Sequence, residues 1–226
     1  MKVTTDACLF GAWAALHCRK TIGTTSPSSM LDIGTGTGLL SLMISQKADL
    51  RVDAIEIDEP AFEQASSNFK TSPWHDRINA IHADARDYDK KILYDIIVCN
   101  PPFYENELRS PLTRKNKAHH DESLLLPGLF TVIKKNLRPD GRFFMLLPFK
   151  RAAEMQLLVD KNEMAIAQLA LVRQSTTHGP FRVMVAGILE QSGSAGYPNE
   201  EIIIKDGQGN YTTEFIHYLR DYYLYL

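Results

Sequence analysis

The chain has 226 residues, of which 44% are hydrophobic, and a formal net charge of −2. That length suits one α/β domain with a substantial core. The charge excludes a global basic field, so any nucleic-acid contact must come from a local patch. Three cysteines, Cys8, Cys18 and Cys99, form neither a CxxC pair nor an even framework. They read as reduced thiols of a cytoplasmic protein, and no metal site is expected.

Lys2 precedes an apolar stretch from Ala7 to Cys18. Asp6 at its start, Arg19 and Lys20 behind it and the lack of an A-x-A site argue against a signal peptide. It is too short to cross a bilayer. Leu9, Trp13 and Leu16 recur at helical spacing and predict a buried helix. Ser29–Ile33 reads as a buried strand, Leu39–Gln46 as the helix after it, and Arg51–Ile57 as a second strand. Pro60 fits the first turn of a helix that runs to about Lys70. Ile78–His82 and the β-branched run Tyr94–Cys99 are the third and fourth strands. A long polar loop follows Pro101-Pro102 to about Glu122. Then come a helix over Leu124–Leu137, a turn at Pro139-Asp140-Gly141, a fifth strand over Arg142–Leu147 and a helix over Lys150–Asn162. Strands at Ile166–Val172 and Val183–Leu189, a short one at Ile202–Ile204 and a helix from about Thr212 complete the chain. Strand–helix alternation predicts a mostly parallel sheet with helices on both faces. The near-direct link between the strands at 166–172 and 183–189 makes one of them antiparallel. No linker divides residues 1–226, which read as a single domain.

The segment Leu31-Asp32-Ile33-Gly34-Thr35-Gly36-Thr37-Gly38 follows a strand and opens a helix. Glycines there let the backbone approach a ligand closely. Glu56, 20 residues beyond Gly36 at the end of the second strand, can accept both hydroxyl hydrogens of a ribose. This pair alone means an adenosine-containing cofactor. The spacing is G-x-G-x-G, and Asp32 before the loop would repel a phosphate but attract an ammonium. S-adenosyl-L-methionine has an amino-acid end and no phosphate, so the electrostatics lean toward it. Asp84, after the third strand, either borders an adenine or caps a helix, and Asp58 is either a second cofactor contact or the cap before Pro60.

Asn100-Pro101-Pro102-Phe103 ends the fourth strand, where open α/β sheets place their ligands. Two prolines stiffen the backbone and remove two N–H donors, leaving carbonyls and the Asn100 oxygen as acceptors. Such a corner suits a planar amino group with two hydrogens to give. Holding both hydrogens favours pyramidalisation and aims a lone pair that the ring otherwise delocalises. Phe103 offers a face on which a flipped-out base can stack. The alternative is an ordinary turn, since Asn-Pro is a common turn pair.

These motifs resemble those of class I amino-methyltransferases. More narrowly, the chain resembles the bacterial family that methylates N6 of adenine-37 in valine tRNA. The narrower resemblance lies in Lys2-Val-Thr-Thr-Asp6 with Gly11-Ala-Trp13, in Ser72-Pro-Trp-His-Asp-Arg-Ile78, and in the tail from Asn210-Tyr211 through Tyr223-Leu224. It covers essentially the whole chain and implies a Rossmann-like, seven-stranded sheet with one antiparallel strand. By the resemblance Gly34, Gly36 and Gly38 face the methionine part of the cofactor, Glu56 the ribose, and Asp84 with Ala85 the adenine. Asn100 to Phe103 hold the target base, while Lys2 and Thr5 lie near the cleft. The family usually has a strand or two before the Lys2 segment, so the start is expected to be shortened or to lie upstream. It commonly has Gly-Thr-Asp in place of Thr4-Thr5-Asp6, and Ala-Arg in place of Ala118-His119.

Arg109, Arg114, Lys115 and Lys117 crowd the loop after Phe103, with no acid from Arg109 to His120. The loop reads as a phosphate clamp for tRNA, by resemblance at the anticodon loop, or as a solvated charged loop. Three other functions stay open. One is the same chemistry on glutamine, cytosine N4 or guanine N2. Another is a nicotinamide-dependent oxidoreductase, and the last is an RNA-binding domain without turnover.

Overall fold

The computed structural model describes residues 3–21, 28–101, 126–189 and 199–226, with the side chains of 19–21 left aside. Its elements, in chain order, are α1 (Thr5–Thr21), β1 (Ser28–Ile33), α2 (Leu39–Ser45), β2 (Leu50–Glu56), α3 (Glu59–Thr71), β3 (Ile78–His82) and β4 (Tyr94–Cys99). There follow α4 (Leu126–Asn136), β5 (Leu137–Pro148), a 3₁₀ turn at Phe149–Arg151, α5 (Ala152–Lys161), β6 (Met164–Ser175), β7 (Pro180–Leu189), β8 (Asn199–Lys205) and α6 (Thr213–Leu219).

The strands form one sheet in the order β3-β2-β1-β4-β5-β7-β6-β8. β1 through β5 pair in parallel, β7 runs antiparallel to both β5 and β6, and β8 is parallel to β6. One antiparallel strand was expected and one is present among the described residues. The count of strands is eight rather than seven, because the short run at Ile202–Ile204 extends to seven residues and pairs with the open edge of β6. The expected turn at Pro139–Gly141 also becomes part of a strand. β5 begins at Leu137, and the register with β4 shifts between Tyr94 and Ile96, so the irregular pairing absorbs the three residues.

Both faces of the sheet are covered, so its strands carry buried residues on both sides. Met30, Ile96, Val98, Phe144, Leu146, Met184 and Ala186 point into one core, with α1, α2, α3 and α6. Leu31, Ile33, Ile97, Cys99, Phe143, Met145, Val183 and Val185 point into the other, with α4 and α5. α1 is buried on nearly every side: Leu9, Phe10, Trp13, Ala14, Ala15 and Cys18 have no exposed surface, whereas Leu16, expected inside, is 38% exposed. A helix lodged between a sheet and two other helices needs more than one apolar stripe, and among its described side chains an open line falls at Leu16. No described helix is long and apolar enough to cross a membrane.

Candidate active site

β1 ends at Ile33 and the chain turns through three glycines with positive φ: Gly34 at 69°, Gly36 at 60° and Gly38 at 87°. Gly38 caps α2 in the left-handed conformation, and a Cβ there would lie 2.3 Å from the Phe69 ring. Gly34 differs, because a Cβ added to it would meet nothing within 4 Å. The loop is pinned from below: Gly34 N–H and Thr35 N–H both donate to the Ile55 carbonyl at 2.9 Å. The Asn68 side-chain amide donates to the Thr37 carbonyl at 2.8 Å.

Registers carry the argument across the sheet. Ile33 lies opposite Ile55 on β2 and Cys99 on β4, and Cys99 lies opposite Met145 on β5. One step further along the strands sets Glu56, Gly34, Asn100 and Leu146 in a row at the carboxyl edge of four neighbouring strands. Adjacent members of such a row are about 4.8 Å apart. Glycine loop, acid and Asn-Pro corner, 66 residues apart in sequence from Gly34 to Asn100, therefore converge on one edge.

Glu56 is buried and already ordered. Its Oε2 accepts from Gly36 N–H at 2.8 Å, and its Oε1 from Ile57 and Asp58 N–H at 3.0 and 2.9 Å. Asp32 has no exposed surface; its Oδ2 accepts from the Thr35 and Ser41 hydroxyls, both at 2.7 Å. Burial pushes its carboxyl up to about 6, against the downward pull of those two hydrogen bonds. Asp32 Oδ1 and Asn100 Oδ1 are both buried with no hydrogen-bond partner among the described residues. Alternation places both on the α1 side of the sheet, in step with Met30 and with Ile96 and Val98. Unpartnered buried oxygens are costly and call for a donor from outside the described residues.

The remaining expected residues fall as follows. Asp58 is the N-cap of α3, accepting from Ala61 N–H at 3.2 Å. Asp84 caps no helix: it stands in a turn, accepts from Arg86 N–H at 2.8 Å and pairs with the Arg86 guanidinium at 2.5 Å. The hydrogen bonds and charge of Arg86 hold its carboxyl below the ordinary range despite partial burial. Ala85 beside it is buried. Thr5 is exposed at the start of α1, and Pro101 is half-buried after Asn100. Lys2, Pro102, Phe103, Arg109, Arg114, Lys115 and Lys117 lie outside the described residues. Sequence reasoning missed Thr35 and Ser41 as the supports of Asp32; the spacing of Ser41, in the first turn of α2, was the available signal. A cleft of about 900 Å³ lies at the opposite edge of the sheet, between the strand starts at Ser29, Leu50, Ile78 and Tyr94. Open α/β sheets bind ligands beyond their carboxyl ends, so the row at Gly34 and Asn100 is the candidate site. No group of three or more His, Cys, Asp or Glu among the described residues is arranged to hold a metal.

The methyltransferase small domain family matches residues 19–155, more than half of the chain. A tRNA1(Val) (adenine(37)-N6)-methyltransferase of Cytophaga hutchinsonii is 34% identical over 236 aligned positions, covering 100% of this chain and 92% of that relative. The chain belongs to this methyltransferase family. A relative of the same name from Dyadobacter fermentans is 45% identical over 149 residues, 66% of this chain and 59% of its own length. The fold of this family member is shared with a crystal structure described as a predicted O-methyltransferase from Agrobacterium tumefaciens. That structure is similar at a TM-score of 0.65 and 13% identity, with 95% of each chain covered.

Proposed function

We propose that the chain transfers a methyl group from S-adenosyl-L-methionine to the exocyclic N6 of an adenine in tRNA, adenine 37 of valine tRNA. It would act in the cytoplasm, at the anticodon loop, with residues 1–226 as one catalytic domain. The observation that carries this reading is the row of Glu56, Gly34 and Asn100, flanked by the unpartnered oxygens of Asp32 and Asn100.

The residues present fit the cofactor. Asp32 Oδ1 is a buried acceptor suited to an ammonium, Glu56 has acceptor capacity left for ribose hydroxyls, and Gly34 leaves open space where a side chain would intrude. A diphosphate would instead meet two buried carboxylates. Asp84 and Ala85 would flank the adenine, Asp58 and Glu56 the ribose end, and Lys2 and Thr5 the methionine end beside Gly36 and Gly38. Bound there, S-adenosyl-L-methionine supplies a methyl group already activated by its sulfonium charge, so the protein needs no strong base.

The chain's own part is to bind and aim the amine. Asn100 Oδ1 and the Pro101 carbonyl would accept its two hydrogens, which localises the nitrogen lone pair and turns it toward the methyl donor. Pro101 and Pro102 keep the corner rigid and free of competing donors. Phe103 would stack the adenine, and Arg109, Arg114, Lys115 and Lys117 would hold flanking phosphates.

The test is incubation with labelled cofactor and total tRNA from a strain lacking the modification, with the methylated nucleoside mapped by mass spectrometry. N6-methyladenine at position 37 of valine tRNA is expected. Asn100→Ala should lower the rate about 10²–10³-fold, the cost of removing one oriented hydrogen-bonding group. Label on guanine, cytosine or a protein glutamine would replace the substrate and keep the chemistry. No label in any of these would end the proposal.

A further inference from the structure

α1 meets the sheet at two fixed points. The Trp13 and Phe144 rings pack edge to face with centroids 5.9 Å apart. Arg182 Nε donates to Asp6 Oδ2 at 2.6 Å, the side chains 24% and 13% exposed. Arg182 stands on β7 opposite Pro148, the last residue of β5. From Trp13 to Asp6 the helix advances about 10 Å, and from Phe144 to Pro148 the strand advances about 13 Å. α1 therefore runs antiparallel to β5, with its first turn at the carboxyl edge of the sheet.

That edge is the one that carries the candidate site. Arg182 lies two residues beyond the row through Asn100, Leu146 and Met184, and two strands over from β4. Strand geometry puts its Cα about 12 Å from that of Asn100. Its side chain projects to the α1 side, where Asp32 Oδ1 and Asn100 Oδ1 lie unpartnered. Val3, Thr4 and Thr5 are exposed at this point, with Val3 61% exposed. Among the described residues, Thr4 O accepts from Cys8 N–H at 3.0 Å and Asp6 Oδ1 from Ala7 N–H at 3.1 Å. Burial opposes ionisation of Asp6, but hydrogen bonds from Thr4 and Arg182 outweigh it and keep the carboxyl charged.

We propose that Arg182 is a positioning residue: through Asp6 it latches the chain from Val3 to Cys8 over the cleft and so sets the cleft's affinity for its cofactor. The latch rests on the methyl-transfer reading for the identity of that cofactor. Loosening it lowers the fraction of molecules with a complete cleft, and apparent affinity falls by that fraction.

The test uses the full chain with Arg182→Ala, Arg182→Lys, Asp6→Asn and the charge exchange Asp6→Arg with Arg182→Asp. Lys134→Ala is the control, because Lys134 pairs with Glu163 at the same 2.6 Å but from α4, on the other face of the sheet. Hydrogen exchange is read at the Ala7 and Cys8 amides against Trp13, and S-adenosylhomocysteine affinity by calorimetry. Arg182→Ala and Asp6→Asn are expected to speed exchange at Ala7 and Cys8 about tenfold and leave Trp13 protected. They should weaken S-adenosylhomocysteine about tenfold, with the KM for the methyl donor raised and kcat within about twofold. Arg182→Lys and the charge exchange should recover most of both losses, and Lys134→Ala should change neither. Unchanged exchange and affinity in Arg182→Ala, an equal effect of Lys134→Ala, or loss of protection along all of α1 would overturn the latch. A wild-type chain that binds S-adenosylhomocysteine yet methylates no tRNA would sink the tRNA reading and leave the latch to these two measurements. A wild-type chain that does not bind it would overturn both.

Discussion

Asp32 enters the folded core with no exposed surface and one oxygen unpartnered among the described residues. Its carboxyl, ordinarily near 3.8, is pushed up to about 6 by burial, with the Ser41 and Thr35 hydroxyls pulling the other way. The native state therefore keeps a proton that the unfolded chain gives up, and stability falls as pH rises between about 3.8 and 6. Above that window the charge costs on the order of 3 kcal/mol. Asp32→Asn should accordingly leave stability unchanged near pH 4 and raise it by up to about 3 kcal/mol at pH 8, while weakening S-adenosylhomocysteine. Urea unfolding across this pH range, with calorimetry beside it, checks both. An equal effect at every pH would remove the desolvation argument. Loss of stability above pH 6, together with weaker S-adenosylhomocysteine binding in Asp32→Asn, is the trade of stability for function expected if this carboxylate holds a cation.

At the scale of elements, α1 separates what periodicity can tell from what packing decides. Leu9 and Trp13 are buried as their spacing implies, but Leu16 is not, and Ala12, Ala14, Ala15 and Cys18 are. Trp13 fills the space between His17 and Phe144 and donates its indole N–H to Glu200 on β8. Trp13→Ala should cost about 3–5 kcal/mol in denaturant unfolding, because it leaves a large cavity; Glu200 keeps its bonds from Gln168 and Tyr218. Leu16→Ala should stay within about 0.5 kcal/mol. The reverse ranking would mean that the helix is rotated from the orientation described. β8 makes a similar point: three apolar residues marked it in sequence, yet its length comes from Asn199, Glu200 and Glu201, recruited by pairing with β6.

For the whole molecule, the decisive feature is that strand order 3-2-1-4 sets the glycine loop and the Asn-Pro corner side by side. A cofactor bound between them, as proposed, would hold together elements that are far apart in the chain, so it should stabilise the entire fold. At 100 times its Kd, S-adenosylhomocysteine should add about 2.7 kcal/mol, readable as a rise in Tm. NADH at equal concentration should add nothing, since its diphosphate would face Asp32 and Glu56. A shift with NADH and none with S-adenosylhomocysteine would return the site to the oxidoreductase alternative.

The local devices were legible because each is written in a few consecutive residues: the three glycines of positive φ, Asp58 before Pro60, and the apolar runs of the strands. β1 to β4 were placed within one residue of their bounds for this reason, β6 and β7 within three, β5 from Arg142 onward and β8 only at its apolar centre. Sequence order alone also put Glu56 at the end of β2. What tertiary structure decided are the pairings between distant segments: Arg182 with Asp6 across 176 positions, Trp13 with Glu200 across 187, and the row that joins Glu56, Gly34 and Asn100. No periodicity encodes these, because each depends on which strand lies next to which. That order is set when both faces of the sheet find helices to bury them.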